Sequence, residues 1–231
     1  YGQVHESALP GDIQVRETIF LPMLDPETGP THCATYLLCE LTNESPRTQK
    51  IAVYGFGGFH LGNFQADVSI RTDEEHCTHA VDYSGDEDWL GALVVRPAPC
   101  RRSVTADMAM VSDIDELPSL QARSVPGRSD LVAVTENHLQ LEPGGRSCIT
   151  FALAFWHHAD ELRGVLGSLG DGPGILERTR QNWMKRLDAC QVWTPDATIN
   201  AGGAWAKVNM VRVLAKYPRG LTFTNDPGRS S

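Results

Sequence analysis

The chain has 231 residues and a formal net charge of −9, and its 20 Lys and Arg never gather beyond pairs such as Arg101-Arg102. A nucleic-acid footprint needs a basic stripe, so that partner is disfavoured and a soluble protein is expected. No apolar run approaches the roughly 20 residues that a membrane span requires, so no membrane partner is expected either.

The length allows one large β-domain or two ordinary ones, with ample chain for a core. Tyr1 is not Met, and the last residues, Asn225-Asp226-Pro227-Gly228-Arg229-Ser230-Ser231, read as a loop with nothing after it to pack on. Both ends are expected to be cuts from a longer, truncated chain. The six cysteines are scattered, with no paired spacing. That pattern suits buried small hydrophobes in a reducing, cytoplasmic compartment. Asn43-Glu44-Ser45 matches the glycosylation triplet, but Pro46 follows it and no secretory segment is visible.

The predicted elements begin at residues 13–21, which alternate over part of their length and stop at Pro22. Residues 34–41 follow, closed by Thr42-Asn43-Glu44-Ser45-Pro46. Further β-favouring runs lie at 51–54, 66–70, 78–83, 93–96, 104–111, 131–134 and 148–155, with turn chemistry such as Glu142-Pro143-Gly144-Gly145 between them. Residues 113–128, with two prolines and a glycine, read as a long loop. Many short strands with no helical period between them predict a mainly β fold, an antiparallel sandwich or barrel.

Composition changes after Trp156-His157-His158. Asp160 can cap a short helix through Leu169, broken by Gly170-Asp171-Gly172-Pro173-Gly174. Residues 175–189 predict a helix with Leu176, Thr179, Trp183 and Leu187 on one stripe. Thr194-Pro195 is a second start signal, a hydroxyl cap followed by Pro at the first helical position. That helix is expected to run through Lys216, with Ala204, Val208, Val211 and Leu214 on one side and Pro218 ending it. The expected domains are a β-sandwich at 1–158 and a helical linker at 159–231 that opens a truncated barrel.

Several constellations invite chemistry. The glycines of Tyr54-Gly55-Phe56-Gly57-Gly58-Phe59-His60-Leu61-Gly62 miss the dinucleotide fingerprint at His60 and precede no helix, so a bulge or close backbone approach is expected. His76-Cys77-Thr78-His79 lies beside a predicted strand, which sends its two histidines to opposite faces, so no metal is expected. His157-His158 point apart for the same reason. Glycoside chemistry needs two acids about 5–10 Å apart. Asp86, Glu87, Asp88, Asp113, Asp115 and Glu116 are all available in polar loops, and no pair can be chosen.

The stretch from Trp183 to Leu187, then Val192-Trp193-Thr194-Pro195-Asp196, Ile199-Asn200 and Trp205, resembles the linker helices of certain six-hairpin glycosidases. These are built as a galactose mutarotase-like β-supersandwich followed by a six-hairpin helical barrel. Cellobiose phosphorylases and glycogen-debranching or glucoamylase-like hydrolases are similar in this arrangement. Val15 to Pro22 and Tyr36 to Asn43 look like the opening strands of that family. The tail from Tyr217 looks most like the start of the barrel in amylo-alpha-1,6-glucosidase-type proteins.

The resemblance implies a mainly β supersandwich followed by linker helices, as the non-catalytic front of a glycoside hydrolase acting on α-glucans or glucosides. Its catalytic acids lie in the barrel, so no catalytic residue and no cofactor is assigned here. Asn225, Asp226 and Arg229 are the candidate sugar contacts, near the barrel mouth, with a tight turn at Pro227-Gly228 as the competing account. The implied partners are a carbohydrate, through the parent enzyme, and the missing barrel. Self-association follows if the apolar side of the last helix is left uncovered. The alternative is a stand-alone sugar-binding sandwich using Trp89 or Trp193, although Trp193, beside a helix cap, is expected to pack between layers.

Overall fold

The computed structural model describes residues 2–22, 33–58, 67–73, 78–84, 90–99, 101–105, 132–156, 162–189, 191, 193–212, 214–217 and 220–223. Ten strands come first: β1 (Gly2–Leu9), β2 (Ile13–Phe20), β3 (Cys33–Asn43), β4 (Gln49–Gly58), β5 (Asp67–Asp73), β6 (Thr78–Ser84), β7 (Leu90–Arg96), β8 (Arg101–Thr105), β9 (Val132–Leu141) and β10 (Arg146–Trp156). Helices α1 (Leu162–Ser168), α2 (Gly172–Asp188) and α3 (Ala197–Arg212) follow, then a hairpin of β11 (Leu214–Tyr217) and β12 (Gly220–Phe223). Two compact units result, residues 1–179 and 180–231.

The first unit is an antiparallel sandwich. A seven-stranded sheet, in the order β1-β2-β3-β10-β7-β6-β5, faces a three-stranded sheet in the order β4-β9-β8. Strand alternation sorts the side chains into two cores. On β10, Ile149 and Phe151 join Cys39 and Leu41 of β3, Leu93 and Val95 of β7, and Ala133 and Leu141 of β9 between the sheets. The intervening Ala152, Ala154 and Trp156 join Tyr36, Leu38, Ala92 and Val94 on the other face, under Val165, Leu166, Leu169 and Ile175 of the helical segment. The large sheet is buried on both faces at its centre, which is why its middle strands read as continuous apolar runs.

The glycines of β4 serve close packing. A Cβ on Gly55 would overlap the Phe151 ring, and one on Gly57 would stand 3.0 Å from Leu93 Cδ2. Large core side chains sit directly on this backbone, and the segment is a strand of the sandwich as far as Gly58.

Asn43 ties the β3–β4 connection to the β9–β10 turn. Its Nδ2 donates to the carbonyls of Arg47, Leu141 and Glu142 at 2.7, 2.9 and 3.1 Å, and its Oδ1 accepts from Ser45 N–H at 3.0 Å. The side chain is fully buried, so in the folded chain this amide is out of reach of glycosylation.

Four expectations are corrected. β1 gave no sequence signal, because nearly all of it is exposed and nothing imposes alternation. α2 begins at Gly172, not after Gly174. Asp171 caps it, accepting from Gly174 N–H at 2.8 Å, and Pro173 falls in the first turn, where a missing N–H costs little. Gly172 is required there, since a Cβ would overlap Leu38 and Thr150. The last helix stops at Arg212, and Leu214 belongs to β11 instead of the helix stripe. The fourth correction concerns the cap of α3, described next.

Candidate functional site

In the unit spanning 180–231, Asp196 is the N-cap of α3, with Oδ1 accepting from Thr198 N–H at 2.8 Å and Ile199 N–H at 3.3 Å. Thr194, the expected cap, does something else. Its N–H donates to Asn200 Oδ1 at 2.9 Å, and Asn200 Nδ2 donates back to the Thr194 carbonyl at 2.9 Å. Thr194 Oγ1 also accepts from Asp196 N–H at 3.2 Å. The three residues fix the approach to the helix before its first turn. Lys207, one face further along, donates to the carbonyls of Leu187 and Ala189 at 2.8 and 2.6 Å. An ammonium there satisfies the orphan acceptors at the end of α2 and complements its dipole.

Between the end of α2 and α3 lies a groove of about 220 Å³, walled by Leu187, Trp193, Ile199 and Ala204, with Gln191, Asn200 and Lys207 at its polar edge. Trp193 is 77% exposed, so it does not pack between layers as its place beside the cap suggested. Ile199, Trp205 and Met210 of α3 are also more than half exposed.

In the sandwich unit, one row crosses the outer face of the small sheet: Tyr54 pairs with Glu136, and Glu136 with Arg101. The Glu136 carboxylate receives His138 Nε2 at 2.6 Å, Tyr54 OH at 3.3 Å and Arg101 Nε at 3.1 Å. The His138 bond, with Arg101 and Tyr54 behind it, holds this carboxyl below the usual glutamate range against the opposing effect of burial. Such a group stays ionised with its lone pairs occupied, which suits a cross-strand tie and not a proton donor. A polar basin of about 600 Å³ lies on the large sheet, lined by Glu6, Arg16, Glu40, Glu44 and Arg146 among others. Arg16 stands 3.7 Å from Glu6 and 4.0 Å from Glu40 in the open, where such pairs contribute little.

Burial is the largest influence on three groups. Tyr36 stacks on Phe20 at 5.3 Å and donates its hydroxyl to the Leu169 carbonyl at 2.6 Å, and burial pushes its phenol up to about 12. Burial likewise pushes the free thiol of Cys39 up to about 11 and raises that of Cys148, which makes neither a ready nucleophile.

Asn225, Asp226 and Arg229 lie outside the described residues, as do Trp89, His76, Cys77, His157, His158 and the loop carboxylates Asp86, Glu87, Asp88, Asp113, Asp115 and Glu116. His79 is placed on β6, its side chain outside the described set. Among the described residues no cluster of His, Cys, Asp and Glu could hold a metal ion, and no helix is long and apolar enough to cross a membrane. The groove and the Glu136 row were not singled out from sequence. Tyr54, Arg101 and Glu136 are far apart in the chain, and only the strand register unites them.

With this geometry in view, comparison with solved structures places the fold. The chain superposes with a TM-score of 0.60 on a protein assigned as a kojibiose phosphorylase from human microbiome, at 8% identity, covering 94% of this chain and 27% of that one. A bacterial glucoamylase, solved in complex with acarbose, gives a TM-score of 0.56 at 11% identity, covering 92% of this chain and 30% of that one. The fold of this chain is therefore one found within carbohydrate-active enzymes. It spans less than a third of their length. No protein-family model matches the sequence, and no curated protein does.

Proposed function

We propose that the chain is the non-catalytic β-supersandwich part, with its linker helices, of a cytoplasmic glycoside hydrolase or related transferase acting on α-glucans or small glucosides. The observation that carries this is the agreement of nearly the whole chain with about 27–30% of two such enzymes. The rest of such an enzyme would supply the two carboxylates that glycosidic cleavage needs. On this reading the chain divides near residue 158, and a helical barrel follows the linker. Asn225, Asp226 and Arg229 then contact the sugar at the barrel mouth. The sandwich contributes a rigid platform: its carboxylate at Glu136 is engaged on three sides, and its buried Tyr36 and Cys39 are held protonated.

The test is to express the complete open reading frame that contains the chain and incubate it with maltooligosaccharides, with and without inorganic phosphate. Release of glucose or of a glucose phosphate supports the reading and decides between hydrolysis and phosphorolysis. A product that cleaves no glucoside under either condition refutes it.

A second reading, a sugar-binding module without catalysis, is favoured by the exposed indole of Trp193 beside its groove. Aromatic faces stack on sugar rings. A shift of the Trp193 indole N–H signal on titration with maltotriose, in a reading frame with no further domain, would support it. An unmoved signal would end it.

A further inference from the structure

Helix α3 is apolar on more than one side. At about 100° per residue, Ile199 and Met210 share one face, and Trp205 lies about 120–140° around from them. All three are exposed. Gly202 and Gly203 have nothing near the position a Cβ would take, so the helix surface between them is open to close approach. A helix with exposed apolar side chains on two sides has more apolar surface than the single core-facing stripe of an ordinary surface helix.

Charge then says what chemistry covers it. Residues 180–231 hold eight Lys and Arg against three Asp and Glu, a formal +5, so the chain total of −9 leaves −14 on residues 1–179. Of the three acids, two are described and both are engaged: Asp188 accepts from Gln191 Nε2 at 2.8 Å, and Asp196 caps α3. Lys185 and Arg186 stand in the last turn of α2, next to Leu187 in the groove wall.

We infer that the unit of residues 180–231 is a docking surface for an acidic helical protein surface with an apolar centre, its rim carboxylates facing Arg180 and Lys185 of α2. This rests on the reading above only in taking the cover to be a protein domain. A flat bilayer engages one face of a strongly amphipathic helix, whereas α3 exposes apolar side chains on two. A flat contact with a second copy would leave one of those sides bare. Nucleic acid is bound through its phosphates and has no use for the exposed Ile199 and Met210.

Two helical peptides with the same Leu stripe, one carrying Glu and the other Lys at the flanking positions, are titrated into the 231-residue chain by calorimetry at low and high salt. The expected result is that the Glu peptide binds about tenfold or more tightly than the Lys peptide and weakens with salt. It should also shift the indole signals of Trp193 and Trp205. The surface variant Lys185→Glu should narrow the difference between the peptides without altering the fold. Equal affinity, preference for the Lys peptide, or binding of neither overturns the inference. So does preferential binding to phosphatidylserine vesicles, or a salt-independent dimer that shields both indoles. Failure of the glucoside assay on the complete reading frame leaves this result untouched, so the two claims fail separately.

Discussion

Thr194 and Asn200 hold one another reciprocally: the main-chain N–H of Thr194 donates to Asn200 Oδ1, and Asn200 Nδ2 donates to the Thr194 carbonyl, each at 2.9 Å. The segment Thr194-Pro195-Asp196 therefore has a physical content beyond a helix start. Asp196 caps the helix, and Thr194 with Asn200 sets the direction in which the chain arrives at it.

Asn200→Ala removes both halves of that clasp and should cost about 1–2 kcal/mol. Amide exchange over residues 194–200 is expected to rise in the variant. Asn200→Asp keeps the acceptor and loses the donor, so it should fall between. If exchange in the alanine variant matches the parent, the clasp contributes nothing to the start of α3.

Gly55→Ala pushes a methyl group into the Phe151 ring and is expected to destabilise the sandwich by about 1–3 kcal/mol. Gly58, three residues along the same strand, has open space at its Cβ position, so Gly58→Ala should stay within about 0.5 kcal/mol. Urea midpoints of the pair decide the matter. Equal midpoints would mean that the sheets yield to the extra methyl.

Alkaline stability should report on Tyr36. Its phenol is raised from 10.0 to about 12, so the neutral, buried form stabilises the fold fully below about 10. That contribution is lost as pH climbs through about 12. Cys39 behaves alike from 9.0 to about 11. Tyr36→Phe should lose about 1 kcal/mol at neutral pH with the Leu169 hydrogen bond, and show a shallower decline at high pH. An unchanged alkaline slope would mean another group controls it.

Glu136 works in the opposite direction. Its folded pKa is lowered, so its contribution is present above the ordinary glutamate range and disappears as pH falls through the depressed value. Thermal scans of Glu136→Gln against the parent should converge on acidification and separate toward neutral pH. Parallel curves would show that the cross-strand row adds no pH-dependent stability.

Apolar runs made the centre of the sandwich legible: β3, β7 and β10 carry a core on each face, and the runs at 34–41, 93–96 and 148–155 marked part or most of each. β1 was not, because exposure on both faces removes the pattern by which a strand is recognised. Gly172-Pro173-Gly174 read as a breaker because the tight contact with Leu38 and Thr150 that demands Gly172 is tertiary. Leu214 fitted the helical stripe, yet its pairing with Phe223 places it in a hairpin. The Glu136 row was beyond reach, since it depends on the register of β4 and β8 against β9.

The proposal to be tested is that this chain is part of a glucoside-processing enzyme whose catalytic acids lie elsewhere. The most direct measurement compares turnover of maltooligosaccharides and nitrophenyl glucosides by the 231-residue chain and by the product of its complete reading frame, side by side. The account predicts no turnover by the chain and clear turnover by the complete product. Robust turnover by the chain alone, abolished by substituting a single carboxylate within it, would contradict the account.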